Sequence, residues 1–367
     1  MDSIPHPSFF IDSASVAIIR QYTAKAEQMR SLHPGQLALI YKNHWFNLYV
    51  PDKYGGLGVS LPEGLKTEES LAWIDGSIGW TVTLCSGANW FVGFLSPGTA
   101  AILFCSEKVC LAGSGRASGI AKIISDDEYE ISGSWQYATG AAHATAFTAN
   151  CHLEKEGSLL RDQNGNALVA AFIFLRNEVK INEDWKGMGM IATSSNSFEV
   201  SGVRVNKNRR FQIDERKAVL PDTIYQYPFL QFAESTLAVN MSGMAIHFMD
   251  LLAEQLNERN LSDYFTEDHR HSLLLRSEAA RHKHQNARER FYQALQISWD
   301  RWDDRKDFAT PALENVSRTS RHLASTSREV VDELFPLCGL VAADLASATN
   351  RVWRNLHTAC LHPLLLG

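Results

Sequence analysis

Apolar and polar positions recur with two different periods along this chain, and the period changes twice. The opening section has helical spacing. Ser13 or Ser15 caps a predicted helix running to about Ser31. A second helix opens at Pro34, and Leu37, Ile40, Tyr41, Trp45 and Leu48 recur at three- and four-residue steps. Further helices are predicted over Pro62 to Ala72, Gly79 to Ala88 and Pro97 to Phe104. From Ala112 to Asp214 the pattern becomes short apolar runs broken by turn residues: Ser132-Gly133, Gly140, Asn164-Gly165-Asn166 and Ser201-Gly202. This predicts about seven or eight strands in a sandwich or barrel. After a linker over 214–227, four long helical segments follow: Phe229 to Asn257, Thr266 to Arg305, Pro311 to Leu334 and Ala342 to Leu361. Their short connections predict a four-helix bundle. The expected fold is α+β and multidomain, with a helical domain over 1–108, a central β domain over 109–215 and a four-helix bundle over 216–367.

Composition narrows the function classes. The chain has 367 residues, 45% hydrophobic and 21% charged, with net charge -6. No basic surplus points to nucleic acid or an anionic membrane. No run reads as membrane-spanning, and the start carries no signal-type core, so a cytoplasmic protein is expected. Six scattered cysteines without a Cys-x-x-Cys pair read as reduced thiols. His269, His271, His282 and His284 crowd one helical segment, but their spacing places neighbours on different faces, so a solvated polar surface is expected and no metal.

Four stretches carry a resemblance. Val50-Pro-Asp-Lys-Tyr-Gly-Gly-Leu-Gly58 is a glycine-rich turn. Ile131-Ser-Gly-Ser-Trp-Gln-Tyr-Ala-Thr-Gly140, Trp185-Lys-Gly-Met-Gly-Met-Ile-Ala-Thr-Ser-Ser195 and Asn350-Arg-Val-Trp-Arg-Asn-Leu-His357 follow in order. Together they resemble the acyl-CoA dehydrogenase superfamily, across roughly residues 34 to 362. The resemblance implies a flavoprotein binding FAD or FMN. Tyr137, Ala138 and Thr139 match the strand beside the flavin ring, with Thr139 offering its hydroxyl and backbone N–H. Thr193 and Ser194 match a second contact. Arg259 matches an arginine that reaches the flavin pyrophosphate across a subunit interface, although Asn260-Leu261-Ser262 replaces the pair that normally follows it. A homo-oligomer, tetramer or dimer, is implied, and the long apolar helix from Phe229 to Leu252 points the same way because it needs extensive cover.

Two branches of the family compete. The dehydrogenase glutamate, counted nine residues beyond Arg354, falls on Pro363, which has no basic group. The tail ending in Leu361-His362-Pro363 looks more like the reduced-flavin monooxygenases, whose matching histidine faces the flavin. His362 would then move a proton near neutral pH. That branch implies a small aromatic or heterocyclic substrate and a separate flavin reductase. The alternative is an acyl-CoA dehydrogenase served by an electron-transfer flavoprotein. There Glu234 is the base, lying on the apolar stripe of Leu230, Leu237, Met241, Phe248 and Leu252 with no basic residue one turn away. A catalytically silent scaffold of the same fold is the third reading.

Overall fold

The computed structural model describes residues 4–258, 266–304 and 310–365. Five helices precede the sheet: α1 (Ser13–Met29), α2 (Pro34–Lys42), α3 (Leu61–Ile74), α4 (Gly76–Asn89) and α5 (Pro97–Leu103). Asp12, rather than a serine, caps α1, accepting the Ser15 amide at 2.9 Å. A carboxylate is a cap as good as a hydroxyl, and it stands one residue earlier. At the start of α3 the Ser60 amide and hydroxyl both donate to Glu63 Oε2, at 3.1 and 2.7 Å.

Eight strands follow: β1 (Leu111–Ser125), β2 (Glu128–Ala138), β3 (Ala146–Lys155), β4 (Ser158–Leu159), β5 (Val169–Leu175), β6 (Lys180–Asn182), β7 (Asn196–Asn206) and β8 (Arg210–Phe211). They form one sheet in the order β6-β7-β2-β1-β3-β5-β8, with β4 paired to β3. Phe147 on β3 and Phe198 on β7 lie three places apart in that order, yet their ring centroids are 4.8 Å apart. A flat sheet would separate them by roughly 14 Å at about 4.8 Å per strand. The sheet therefore curls over its own core, built on Trp135, Phe147, Phe172, Phe174 and Phe198.

After the sheet come α6 (Thr223–Gln226), α7 (Phe229–Glu258), α8 (Glu267–Asp303), α9 (Thr310–Leu334) and α10 (Ala348–Ala359). The expected linker is more than a tether. Ile224, Tyr225 and Tyr227 are buried, and the Tyr225 hydroxyl donates to the Tyr49 carbonyl at 2.7 Å. Helix α7 packs against α3, α4, α9 and α10, so both helical regions share one apolar core. By length and composition α7 could cross a membrane, a feature the sequence pattern did not register, but 83% of its apolar window is buried inside this fold. Its cover comes from within one chain, so its apolar character is no argument for an oligomer.

A buried ionic network ties α3 to α8. Glu69 accepts from Arg288 Nε and Nη2, both at 2.8 Å, from the Ser242 hydroxyl at 2.6 Å and from the Tyr292 hydroxyl at 2.8 Å. Both carboxylate oxygens are satisfied, the condition under which a buried pair holds a packing arrangement together. Of the clustered histidines, His271 and His282 are exposed, whereas His284 is buried and its Nε2 lies 3.2 Å from the Ser327 hydroxyl. The face it occupies packs on α9, which corrects the solvated reading there. The side chain of His269 lies outside the described residues, as does Arg259.

Candidate active site

A cavity of about 560 Å³ opens between the sheet, α4, α7 and the segment after α10. Its size is ordinary for a small-molecule site. Helix α4 contributes Thr83 and Gly87, and α7 contributes Phe229, Phe232 and Thr236. Gly87 keeps the α4 wall low, since a Cβ there would first meet Phe232 Cε1 at 3.8 Å. The sheet supplies Ser114, Arg116, Thr148 and Asn150, and Thr139 follows the end of β2. His362 closes the remaining side.

His362 stands two residues past the α10 C-cap, where its amide donates to the Ala359 carbonyl at 3.1 Å. Its ring meets the edge of Trp80 at 6.0 Å. The Leu364 amide donates to Nδ1 at 3.4 Å, a long contact that leaves Nε2 as the protonated nitrogen of the neutral ring. Burial pushes the imidazole below its ordinary value, because the charged form loses hydration there. The ring is neutral near pH 7 and can donate from Nε2.

Three hydroxyls form a directed chain behind the cavity. Thr193 Oγ1 donates to the Met190 carbonyl at 2.8 Å, and lies 2.7 Å from Ser195 Oγ. Ser195 Oγ lies 2.9 Å from Thr139 Oγ1. With its own proton spent on Met190, Thr193 accepts from Ser195, which in turn accepts from Thr139. Thr139 therefore faces the cavity as an acceptor. The Thr139 amide is also committed, to the Tyr137 carbonyl at 3.1 Å. The two donors expected of Thr139 are thus replaced by one acceptor.

The structure sorts the other expected residues. Thr193 and Ser194 are buried and do not line the cavity; Thr193 backs it through the chain, and Ser194 Oγ accepts from Asn196 Nδ2 at 2.9 Å. Ala138 is enclosed in the sheet core. Tyr137 is 67% exposed, meets Trp185 edge-on at 6.2 Å and holds a left-handed backbone with φ 62°. Glu234 does not line the cavity. Its side chain is buried, and Oε1 accepts from Arg321 Nη1 of α9 at 2.8 Å. The partner lies 87 positions away, so a search of one helical turn could not find it.

Sequence reasoning missed Thr83, Asn240 and Arg116. Asn240 Nδ2 donates to Thr83 Oγ1 at 2.6 Å, which leaves the Thr83 proton free to point into the cavity. For Arg116, the available signal was three glycines inside one strand pattern, Gly113, Gly115 and Gly119, which marks a bulge. No group of three or more His, Cys, Asp or Glu suited to a metal occurs among the described residues.

Comparison with known proteins agrees with this architecture. Residues 235–365 match the family "Acyl-CoA dehydrogenase, C-terminal domain". The chain is 24% identical over 331 residues to the pigment production hydroxylase of Rhodococcus erythropolis, covering 86% of this chain and 81% of that one. The crystal structure of 3-HSA hydroxylase from Rhodococcus sp. RHA1 superposes with a TM-score of 0.87 at 18% identity, over 96% of this chain and 91% of that one. XiaF from Streptomyces sp., solved in complex with FADH2 and glycerol, gives 0.85 at 18%, over 96% and 89%. The chain has the acyl-CoA dehydrogenase-like fold, and its C-terminal part carries that family's sequence pattern.

Proposed function

We propose that this protein is the oxygenase component of a two-component flavin monooxygenase acting on a small aromatic or heterocyclic substrate. One observation carries the choice between branches: among the described residues the cavity lining holds an imidazole and no carboxylate. A dehydrogenase of this family needs a carboxylate base at the reacting carbon, and Glu234 is instead engaged with Arg321 outside the cavity lining. The relatives named above are a hydroxylase by sequence, and by structure a hydroxylase and an FADH2 complex.

A flavin fits the lining. A planar tricycle suits apolar walls such as Phe229 and Phe232, and a reduced ring carries N–H groups that an acceptor such as Thr139 can receive. Bound there as FAD or FMN, it would supply electrons and oxygen chemistry. His362 would hold a proton at Nε2 for transfer within the cavity, and the apolar walls would exclude water. Electrons would come from a separate flavin reductase. A homo-oligomer remains part of this reading, supported by exposed apolar residues such as Leu340, Leu345 and Leu361.

The test is oxygen consumption by the protein mixed with reduced FMN or FAD and a panel of phenols and indoles. Product formation coupled to oxygen use is expected, and His362→Ala should consume oxygen while losing product. Bleaching of the oxidised flavin by any acyl-CoA would overturn the assignment.

A further inference from the structure

Among the described residues Arg116 is the single permanently charged side chain in the lining of the cavity, where it is exposed at the β1 wall. Among the described residues no hydrogen bond or ion pair engages its guanidinium, which is exposed and borders the cavity. Its position is built rather than incidental. In the parallel pairing of β1 with β3, Ser114 faces Ala149 and Ala117 faces Asn150. Gly115 and Arg116 thus have no partners on β3, which advances by one residue where β1 advances by three. Such a bulge bends the strand and re-aims a side chain.

The bulge is clamped. Asn150 Nδ2 donates to the Gly115 carbonyl at 2.8 Å, and the Asn150 carbonyl itself accepts from Trp135 Nε1 at 3.0 Å. Glycines permit the arrangement. At Gly113 a Cβ would lie 2.0 Å from Thr148 Oγ1, so β1 can approach β3 there only without a side chain. Arginine presents a rigid fork of donors matched to two oxygens of one anion.

We propose that the bulge at Gly115-Arg116 is an oxyanion-recognition site, and that Arg116 holds a carboxylate or phosphate while the apolar walls take the attached ring. The inference rests on the flavin-monooxygenase reading for what the ring is, but not for the anion preference itself. Two sources share this chemistry: a carboxylate on the aromatic substrate, and the phosphate of the flavin. The lining favours the substrate, since Arg116, Thr83 and His362 border the same cavity.

Binding to wild type and to Arg116→Ala would be measured anaerobically with two matched pairs. Indole-3-acetate against 3-methylindole tests the carboxylate. Reduced FMN against reduced riboflavin tests the phosphate. The expected result is a wild-type preference for indole-3-acetate that falls about ten-fold in Arg116→Ala, with 3-methylindole unchanged. A ten-fold loss confined to FMN would keep the anion site and assign it to the flavin. Asn150→Leu, which removes the clamp but keeps the arginine, should lower the same preference. The proposal is overturned if wild type prefers neither anion, or if Arg116→Ala keeps the wild-type preference. Failure of both reduced FMN and reduced FAD to bind wild type would sink the flavin reading by itself, while the carboxylate pair would still report on Arg116.

Discussion

Asn355 Oδ1 accepts the Met190 amide at 2.6 Å and so ties α10 to the loop that carries Thr193 and Ser195, across 165 positions of sequence. Arg354 adds to the joint by donating Nη1 to the Met188 carbonyl at 2.6 Å. Two of the four motif stretches therefore meet in space. The loop follows α10 so closely that a Cβ on Gly189 would lie 2.0 Å from the Arg354 carbonyl oxygen.

Removing the acceptor should be costly. Asn355→Leu leaves the buried Met190 N–H without a partner, and should destabilise the fold by about 1–3 kcal/mol. Asn355→Asp, which keeps an acceptor, should recover most of that. Denaturant titration compares them, and equal stability of the leucine and wild-type proteins would show that the joint contributes nothing.

The Glu234–Arg321 pair predicts a split between stability and turnover. Arg321→Ala leaves a buried carboxylate without its cation. Because the Arg321 side chain is 41% exposed, water can replace part of the interaction. A loss of about 1–3 kcal/mol is expected. Glu234→Gln should leave coupled oxygen use within about two-fold of wild type, since ~1.4 kcal/mol already makes ten-fold and the group is outside the cavity lining. Abolished product formation with flavin still bound would return Glu234 to the catalytic list.

Glu68 predicts an alkaline loss of stability. It is fully buried, and burial pushes its carboxyl up to about 8, partly opposed by the Ser86 hydroxyl that donates to Oε1 at 3.1 Å. Folded, the group stays protonated where the unfolded chain has already released its proton near pH 4.5. Its contribution is therefore complete below about pH 4.5 and is lost as pH rises through about 8. Glu68→Gln, which mimics the neutral acid, should remove that slope and be more stable than wild type above pH 7. A wild-type stability that is flat from pH 5 to 8 in a variant-subtracted comparison would contradict this.

Buried and half-buried histidines predict the opposite slope in acid. Burial lowers His143 and His284 to about 4 and His247 to about 3. Unfolding lets each take up a proton below its ordinary value of 6.5, so stability present above pH 6.5 is lost as pH falls toward 4. His284→Gln should reduce proton uptake on unfolding at pH 5 by about one. Unchanged uptake would mean that His284 is already protonated in the fold.

Sequence by itself determined the elements and their order. Helices with three- and four-residue apolar steps and strands with turn-bounded runs bury one face or two, and that demand is local. The start of α2, the span of α7 and most strands were legible for this reason, and a tail pattern picked out His362, which borders the cavity. Tertiary structure decided what the charged and hydrogen-bonding groups do. Glu234 is an ion-pair partner because Arg321 arrives from another helix. Thr139 is an acceptor because a hydroxyl chain ends on the Met190 carbonyl. Arg116 borders a cavity, with no partner among the described residues, because a bulge lifts it there. A side chain's charge state and donor direction depend on what is within about 3 Å of it, whatever its distance in sequence. Local periodicity carries no information on that distance.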